Sequence, residues 1–146
     1  MRTMILLALA ASACGSSPSS NAIDPGEAKT LLIDRNWLDV YPETRDDRLH
    51  VYRFVPSMGG GVFQDRTLFK GTFELFSFTT KDDVIEFDLH QTNDKVRSRY
   101  RIEAVDGPKP FDLKLTISDD PRGPHTYYGM RRETAELKRL AAPVGE

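Results

Sequence analysis

The clearest pattern along the chain is a strict alternation of apolar and polar residues in three consecutive segments, residues 84–90, 96–103 and 111–118. Successive side chains of a β-strand point to opposite faces, so this alternation predicts strands with one buried and one solvated face. The links between them are too short to hold a crossover helix, which makes neighbouring strands antiparallel. The side chains expected to point inward are Ile85, Phe87, Leu89, Val96, Ser98, Tyr100, Ile102, Phe111, Leu113, Leu115 and Ile117.

Five other segments also have the composition of strands, because they are rich in aromatic and β-branched residues and are mostly bounded by Pro or Gly. They cover residues 35–41, 48–55, 62–69, 72–79 and 125–130. Eight antiparallel strands with this alternation can close into a barrel, which leaves no strand edge exposed. A flat sandwich is the alternative.

Each end of the strand region carries a helix signal. Asp24, followed by Pro25 and Glu27, has the pattern of an N-cap, a first-position proline and a capping-box glutamate. Residues 131–142 predict a second helix, whose apolar stripe consists of Leu137, Leu140 and Ala141. The expected fold is therefore mainly β, an antiparallel eight-stranded barrel with a short N-terminal helix and a C-terminal helix.

The segment 68–78 departs from the alternation because large apolar residues occupy both of its faces. Phe73 and Leu75 share one face, while Phe76 and Phe78 share the other. A strand with one solvated face should not have this composition, so its outer pair needs a cover. The apolar stripe of the C-terminal helix is the expected cover. Without it, the outer pair is an exposed apolar patch of the kind that marks a partner.

Ahead of the strands, residues 4–13 form an uninterrupted run of apolar or small residues behind one basic residue, Arg2. The run is shorter than the ~20 residues that span a bilayer. Its layout predicts a bacterial export signal over residues 1–13 that is removed from the mature protein. The Ser, Gly and Pro residues that follow predict a flexible tether over residues 14–23, ahead of a folded domain over residues 24–146.

The end of this signal carries the only cysteine of the chain, Cys14. The tetrad Ala11-Ser12-Ala13-Cys14 resembles the lipobox of bacterial lipoproteins, in which the cysteine thiol takes a diacylglycerol and becomes the new N-terminus. The resemblance implies lipidation of Cys14 and a lipid-anchored protein of the bacterial cell envelope, at the outer membrane rather than the inner one. A secreted or periplasmic protein is the alternative.

The charge balance and the cysteine content restrict the possible functions. The chain of 146 residues has 20 Lys and Arg residues against 22 Asp and Glu residues. A nucleic-acid partner is not expected, because such proteins usually carry a basic surplus on one face. A single cysteine allows no internal disulfide, so the domain must be held together by its hydrophobic core, which a chain of this length can supply.

Four short motifs accompany the predicted strands. They are Asn36-Trp37-Leu38 after the first helical turn, Met58-Gly59-Gly60-Gly61, Lys70-Gly71-Thr72-Phe73, and Tyr100-Arg101-Ile102 on a late strand. Together they resemble the lipocalin-like group of small bacterial envelope proteins over most of residues 30–130. The resemblance implies a calycin-type β-barrel.

Eight strands enclose a lumen just wide enough to be filled by side chains or to hold one small ligand. The candidate ligand-binding residues combine aromatic rings with polar tips or interrupt a bulky inward row, and they are Trp37, Tyr52, Ser98, Tyr100 and Tyr127. They predict a non-enzymatic binding module for a small apolar or lipid-like ligand. The alternative is a structural or protein-interaction lipoprotein with a filled barrel, whose partner the sequence does not name.

Catalytic and metal chemistry find little support in the sequence. The three histidines, His50, His90 and His125, lack the spacing of a metal motif, so neither a metal nor another cofactor is expected. The acidic pairs at residues 46–47, 82–83 and 119–120 lie in predicted turns, which favours solvated carboxylates over acid–base catalysis. No nucleophile motif is present, and an enzyme is not expected.

Arg97, Arg99 and Arg101 form a basic row on one strand face. In a tethered protein such a row could contact anionic lipid headgroups. The interpretation that we favour is a solvated outer face whose arginines pair with Glu86 and Asp88 of the neighbouring strand.

Overall fold

The computed structural model describes residues 21–144. The predicted export signal, Cys14 and most of the predicted tether lie outside the described residues. Within them the helices are α1 (Pro25–Leu32) and α2 (Ala135–Ala141), and a 3-10 turn spans Pro56–Met58. The strands are β1 (Asn36–Leu38), β2 (Leu49–Val55), β3 (Gly60–Arg66), β4 (Gly71–Lys81), β5 (Val84–Leu89), β6 (Asp94–Ala104), β7 (Leu113–Ile117) and β8 (Thr126–Gly129).

The eight strands form a closed barrel in sequence order, and every neighbouring pair is antiparallel. The barrel closes where Leu38 of β1 lies opposite Tyr128 of β8. The predicted antiparallel eight-stranded barrel is therefore confirmed, and the flat sandwich is excluded. The first strand is shorter than predicted, and α2 begins only after Thr134, whose hydroxyl caps it by accepting from the Leu137 backbone N–H.

Helix α1 packs against the barrel interior at the end where β1 begins. Its predicted N-cap is confirmed, because Asp24 Oδ2 accepts from the backbone N–H groups of Gly26 and Glu27. The buried side chains of the helix, Leu32 among them, join the interior cluster, and Trp37 Nε1 donates to the Leu32 carbonyl at 3.0 Å. Helix and first strand together fill this end of the barrel.

The alternating segments point inward as predicted, with one exception. The odd-numbered apolar residues of β5 and the even-numbered ones of β6 lie in the interior cluster, and so do Leu113, Leu115 and Ile117 of β7. The prediction that Phe111 also points inward is wrong. Phe111 precedes β7 and packs on the outside of the barrel, where its ring contacts those of Tyr41 and Tyr128.

Helix α2 covers a different part of the barrel from the one predicted. Its buried residues Leu137 and Ala141 pack on the outer side chains of β1 and β2, which we call the covered face: Leu38, Leu49 and Val51. The end of the helix is held by β3, since Gln64 Nε2 donates to the Ala141 carbonyl at 3.0 Å and Arg66 donates to the Ala142 carbonyl. The expectation that α2 covers the outer side chains of β4 is therefore wrong.

Candidate functional site

Aromatic rings fill the middle of the barrel. Tyr52, which is fully buried, lies at the centre of this cluster. Its ring centroid is 4.8–6.1 Å from the centroids of five other rings, those of Phe54, Phe63, Phe76, Phe87 and Tyr127. Edge-to-face and tilted packing at such distances is the favoured geometry of aromatic cores. The space in which an eight-stranded barrel could hold a ligand is here occupied by side chains.

A buried carboxylate, Asp120, lies at the end of the barrel opposite α1. It comes from the loop between β7 and β8 and accepts from the hydroxyls of Tyr52 at 3.0 Å and Tyr127 at 2.5 Å. The backbone N–H groups of Arg122 and His125 donate to the same carboxylate at 2.9 and 3.1 Å. Four donors satisfy a charge that would otherwise be costly to bury.

The prediction that both carboxylates of the pair at residues 119–120 are solvated is wrong. Asp119 is exposed as expected, but Asp120 is not a solvated carboxylate. The strand alternation of β7 would place residue 119, not residue 120, on the inward face. The left-handed backbone at Asp119, with φ 55°, ends that alternation and turns the next side chain inward.

The two tyrosines are held as hydrogen-bond donors. Burial above all, and then the charge of Asp120, raises the pKa of Tyr52 and that of Tyr127 far above the ordinary value of 10.0. Both hydroxyls therefore stay protonated over the whole physiological range. They tie β2 and β8 to the loop that crosses this end of the barrel.

Charged side chains surround this loop. Arg122 pairs with Glu74 of β4, and its guanidinium lies 5.7 Å from the ring centroid of Phe63. His50 Nδ1 lies 2.6 Å from Asp39 Oδ2. Together these contacts close the end of the barrel with a polar layer above the aromatic cluster.

Asp65 adds another carboxylate to this end of the barrel. His50 Nε2 lies 3.7 Å from Asp65 Oδ1, and Arg48 Nε donates to the same oxygen at 2.6 Å. The hydrogen bond from Arg48 lowers the pKa of the Asp65 carboxyl. Asp65 therefore stays ionised beside the mouth of the barrel.

The structure separates the five candidate ligand-binding residues into two groups, and all five are buried. It brings Tyr52 and Tyr127 together on Asp120, and Ser98 Oγ donates to the backbone carbonyl of Asp119 in the same loop. Trp37 lies at the α1 end, and the Tyr100 hydroxyl donates to the Asp82 carbonyl at 3.4 Å.

The histidines lie apart. His90 Nε2 is 2.9 Å from Ser77 Oγ, while His90 Nδ1 is 4.0 Å from Asp88 Oδ1, which is too long for the hydrogen bond that would orient a catalytic imidazole. His125 Nδ1 contacts the Ile117 carbonyl. Across residues 21–144, no group of three or more His, Cys, Asp or Glu side chains has the arrangement of a metal site.

The basic row on β6 is paired with acidic residues. Arg97 Nε lies 3.1 Å from Glu86, Arg99 lies 3.5 Å from Asp83 and Arg101 lies 3.4 Å from Glu103. Lys95, at the start of the same strand, lies 3.5 Å from Asp88. The predicted pairing of this arginine row with the neighbouring strand is confirmed for Glu86, which pairs with Arg97. Asp88 pairs with Lys95 instead of an arginine.

No helix within the described part of the chain is long and apolar enough to cross a membrane. Comparison with family models, curated protein sequences and solved structures found no match.

Proposed function

We propose that this chain is a non-enzymatic, lipid-anchored envelope protein whose lipocalin-like barrel is filled, so that it acts through its surface as a structural or interaction module. The observation that carries the proposal is the filled interior. Trp37, Tyr52, Phe54 and Tyr127 are fully buried by protein atoms alone, at the positions where an apolar ligand would lie.

The polar groups of the interior support the same function. Ligand sites commonly keep a few polar groups free to orient the ligand. Here the hydroxyls of Tyr52 and Tyr127 both donate to Asp120, and the Ser98 hydroxyl donates to a backbone carbonyl. A ligand that entered this lumen would have to displace aromatic rings and break these hydrogen bonds.

The lipid anchor is the second part of the proposal, and it rests on the lipobox-like tetrad that ends at Cys14. Six residues separate Cys14 from Asn21, and a chain of that length reaches at most about 25 Å. The Ala104 backbone N–H donates to the Asn21 carbonyl at 3.0 Å, and Ala22 pairs with Glu103. The anchor would therefore hold the barrel close to a membrane.

A titration with small apolar molecules tests the filled barrel. Benzene and a fluorescent fatty acid should show no saturable one-to-one binding to the protein. Leu115→Ala, which removes a buried side chain, should leave a cavity that takes benzene, and so provides the positive control. One-to-one binding of the fatty acid that Ser98→Phe abolishes would refute the proposal and restore the ligand-binding function.

Intact-mass measurement of protein from its native host tests the anchor. The mature chain should begin at Cys14 and carry the added mass of a diacylglycerol, and it should fractionate with membranes. Cys14→Ser should release it from that fraction. A mature chain with a free Cys14 thiol would rule the anchor out.

A further inference from the structure

Helix α2 leaves the outer surface of β4 bare. Phe73 is 54% exposed and Leu75 is 57% exposed, and Phe69, in the loop just before the strand, is 61% exposed. We call these three residues the apolar stripe. The outward positions of β4 from Gly71 to Thr79 carry no charge, because Ser77 and Thr79 continue the row. The next two strands around the barrel, β5 and β6, present ion pairs on their outer faces instead.

A shallow apolar groove continues the stripe toward the turn between β2 and β3. Its volume is about 250 Å³, and its lining includes Val55, Met58, Val62 and Leu75. Met58 is 81% exposed. Gly60 is required beneath the groove, because a Cβ atom there would lie 2.0 Å from the Phe76 carbonyl oxygen. The apolar surface thus extends from one end of the barrel to the other.

Cationic side chains lie at one end of the stripe. The Arg45 guanidinium is 5.7 Å from the ring centroid of Phe69, and Lys70 is exposed next to it. The loop that carries Arg45 also carries three acidic residues, Glu43, Asp46 and Asp47, so the local charges offset one another. Binding of this surface to lipid would therefore depend on apolar contact, and an exposed aromatic and aliphatic row suits the boundary between acyl chains and headgroups.

The exposed area favours a lipid surface over a second copy of the chain. The stripe and Met58 are four side chains, each more than half exposed, and together they offer on the order of 500 Å². A stable protein interface buries about 800 Å² on each partner. A patch of the smaller size suffices for a tethered domain, because its anchor keeps the local concentration of membrane high.

The point where the described residues begin is compatible with a lipid surface at β4. The segment that leads back to Cys14 leaves the domain at Asn21, beside Ala104 of β6. Strand β6 lies two strands from β4, about 10 Å around the barrel, but the strand register places Asn21 roughly 35 Å from Leu75 along the strands. The six residues between Cys14 and Asn21 reach up to about 25 Å, which is too short to reach Leu75 itself but long enough to reach a bilayer that lies against the side of the barrel at β4.

We infer that the apolar stripe is a membrane-contact surface, on which the barrel lies against the bilayer that carries its anchor. The inference rests on the proposed lipid anchor for its geometry. It gives the tethered domain a fixed orientation: β4 faces lipid, and β8, which lies four strands from β4 around the closed barrel, faces away.

The sole cysteine allows a test that does not depend on lipidation in the host. The mature chain, residues 14–146, is coupled through Cys14 to a maleimide lipid in phosphatidylcholine–phosphatidylglycerol vesicles that contain brominated lipid. Leu75→Trp places a reporter in the stripe, and Thr126→Trp places one on the outer face of β8, on the opposite side of the barrel. The native Trp37 is fully buried and serves as a constant background.

The Leu75→Trp emission should shift to the blue and be quenched by brominated lipid, whereas the Thr126→Trp emission should not. Adding Phe73→Ser to the Leu75→Trp protein should lower the ratio of docked to undocked barrel roughly fivefold to tenfold. Adding Val40→Ser, which removes an exposed apolar side chain just after β1, should leave that ratio unchanged.

Equal quenching of the two reporters, or none for Leu75→Trp, would overturn the inference. A blue shift that appears only at high protein density, without quenching by brominated lipid, would show that the stripe meets a second copy. None of these results bears on whether Cys14 is lipidated, which the intact mass decides separately.

Discussion

Two parts of the outer barrel surface are apolar, and they differ in what covers them. On the covered face, Leu38 and Val51 are fully buried beneath α2. On the apolar stripe, Phe73 and Leu75 remain more than half exposed, although β4 belongs to the same barrel. The difference is set by where α2 docks, which depends on the hydrogen bonds that Gln64 and Arg66 donate to its final carbonyls.

An apolar residue on the outer face of a strand therefore predicts a contact but does not specify the partner. Within the chain, the partner of β1 and β2 is a helix that arrives far later in sequence. The same composition on β4 has no such partner among the described residues. A short amphipathic helix can cover only one such face, so the other is open to a partner outside the described residues.

The largest effect should come from uncovering the covered face. Leu137, which is 1% exposed, contributes to the packing of α2, and Leu137→Ala should lower the free energy of unfolding by about 2–5 kcal/mol. The matched change Leu75→Ala on the stripe should cost at most about 1 kcal/mol, because much of that side chain is already in water. Urea denaturation measures both, and equal costs would contradict the proposed difference between the faces.

The strands and their inward faces could be predicted from sequence because a regular strand alternates with a period of two. The predictions failed where the chain leaves that regularity. Phe111 lies before β7, and Asp120 follows a left-handed residue, so neither obeys the phase of the strand beside it. The docking position of α2 was missed for another reason, since it depends on tertiary hydrogen bonds from β3.

The candidate site shows the same limit. Tyr52 and Tyr127 were identified from their type, as rings with polar tips, and the structure places them in contact. Their common acceptor, Asp120, was hidden in a turn-forming sequence where solvated aspartates are usual. The backbone donors from Arg122 and His125 are local, as they are in a solvated turn. The contact that marks a buried carboxylate comes from Tyr52, 68 residues away in sequence, and has no local signature.

The covered face and the apolar stripe enclose the same interior, which contains the buried tyrosines Tyr52 and Tyr127. The ionisation of these tyrosines makes the free energy of unfolding depend on pH. Burial, followed by the charge of Asp120, raises the pKa of Tyr52 and of Tyr127 in the folded state. The contribution is complete below the unfolded pKa of 10.0, and above it the unfolded chain releases protons that the folded chain retains. The free energy of unfolding should therefore fall as the pH rises, by about 1.4 kcal/mol per pH unit for each tyrosine.

Urea denaturation at several pH values between about 9 and 11 measures this slope. Tyr127→Phe removes one of the tyrosines with a raised pKa and should reduce the slope by about one proton's contribution. An unchanged slope would mean that Tyr127 is not held protonated by the folded barrel, and the closed interior would have to be reconsidered.

The smallest effect on the free energy of unfolding is expected on the outer surface of β5 and β6, which is charged, unlike the covered face and the apolar stripe. Arg97 and Glu86 form an ion pair whose side chains are 73% and 52% exposed. Water and salt screen such a pair, so Arg97→Ala should change the free energy of unfolding by less than about 1 kcal/mol, and the change should shrink further in high salt. On vesicles, the same variant should leave the emission of the Leu75→Trp reporter unaltered, because Arg97 lies two strands from the stripe, at the flank of the proposed contact. If Arg97→Ala instead detached the barrel from anionic vesicles, the basic row and not the apolar stripe would be the surface that meets the membrane.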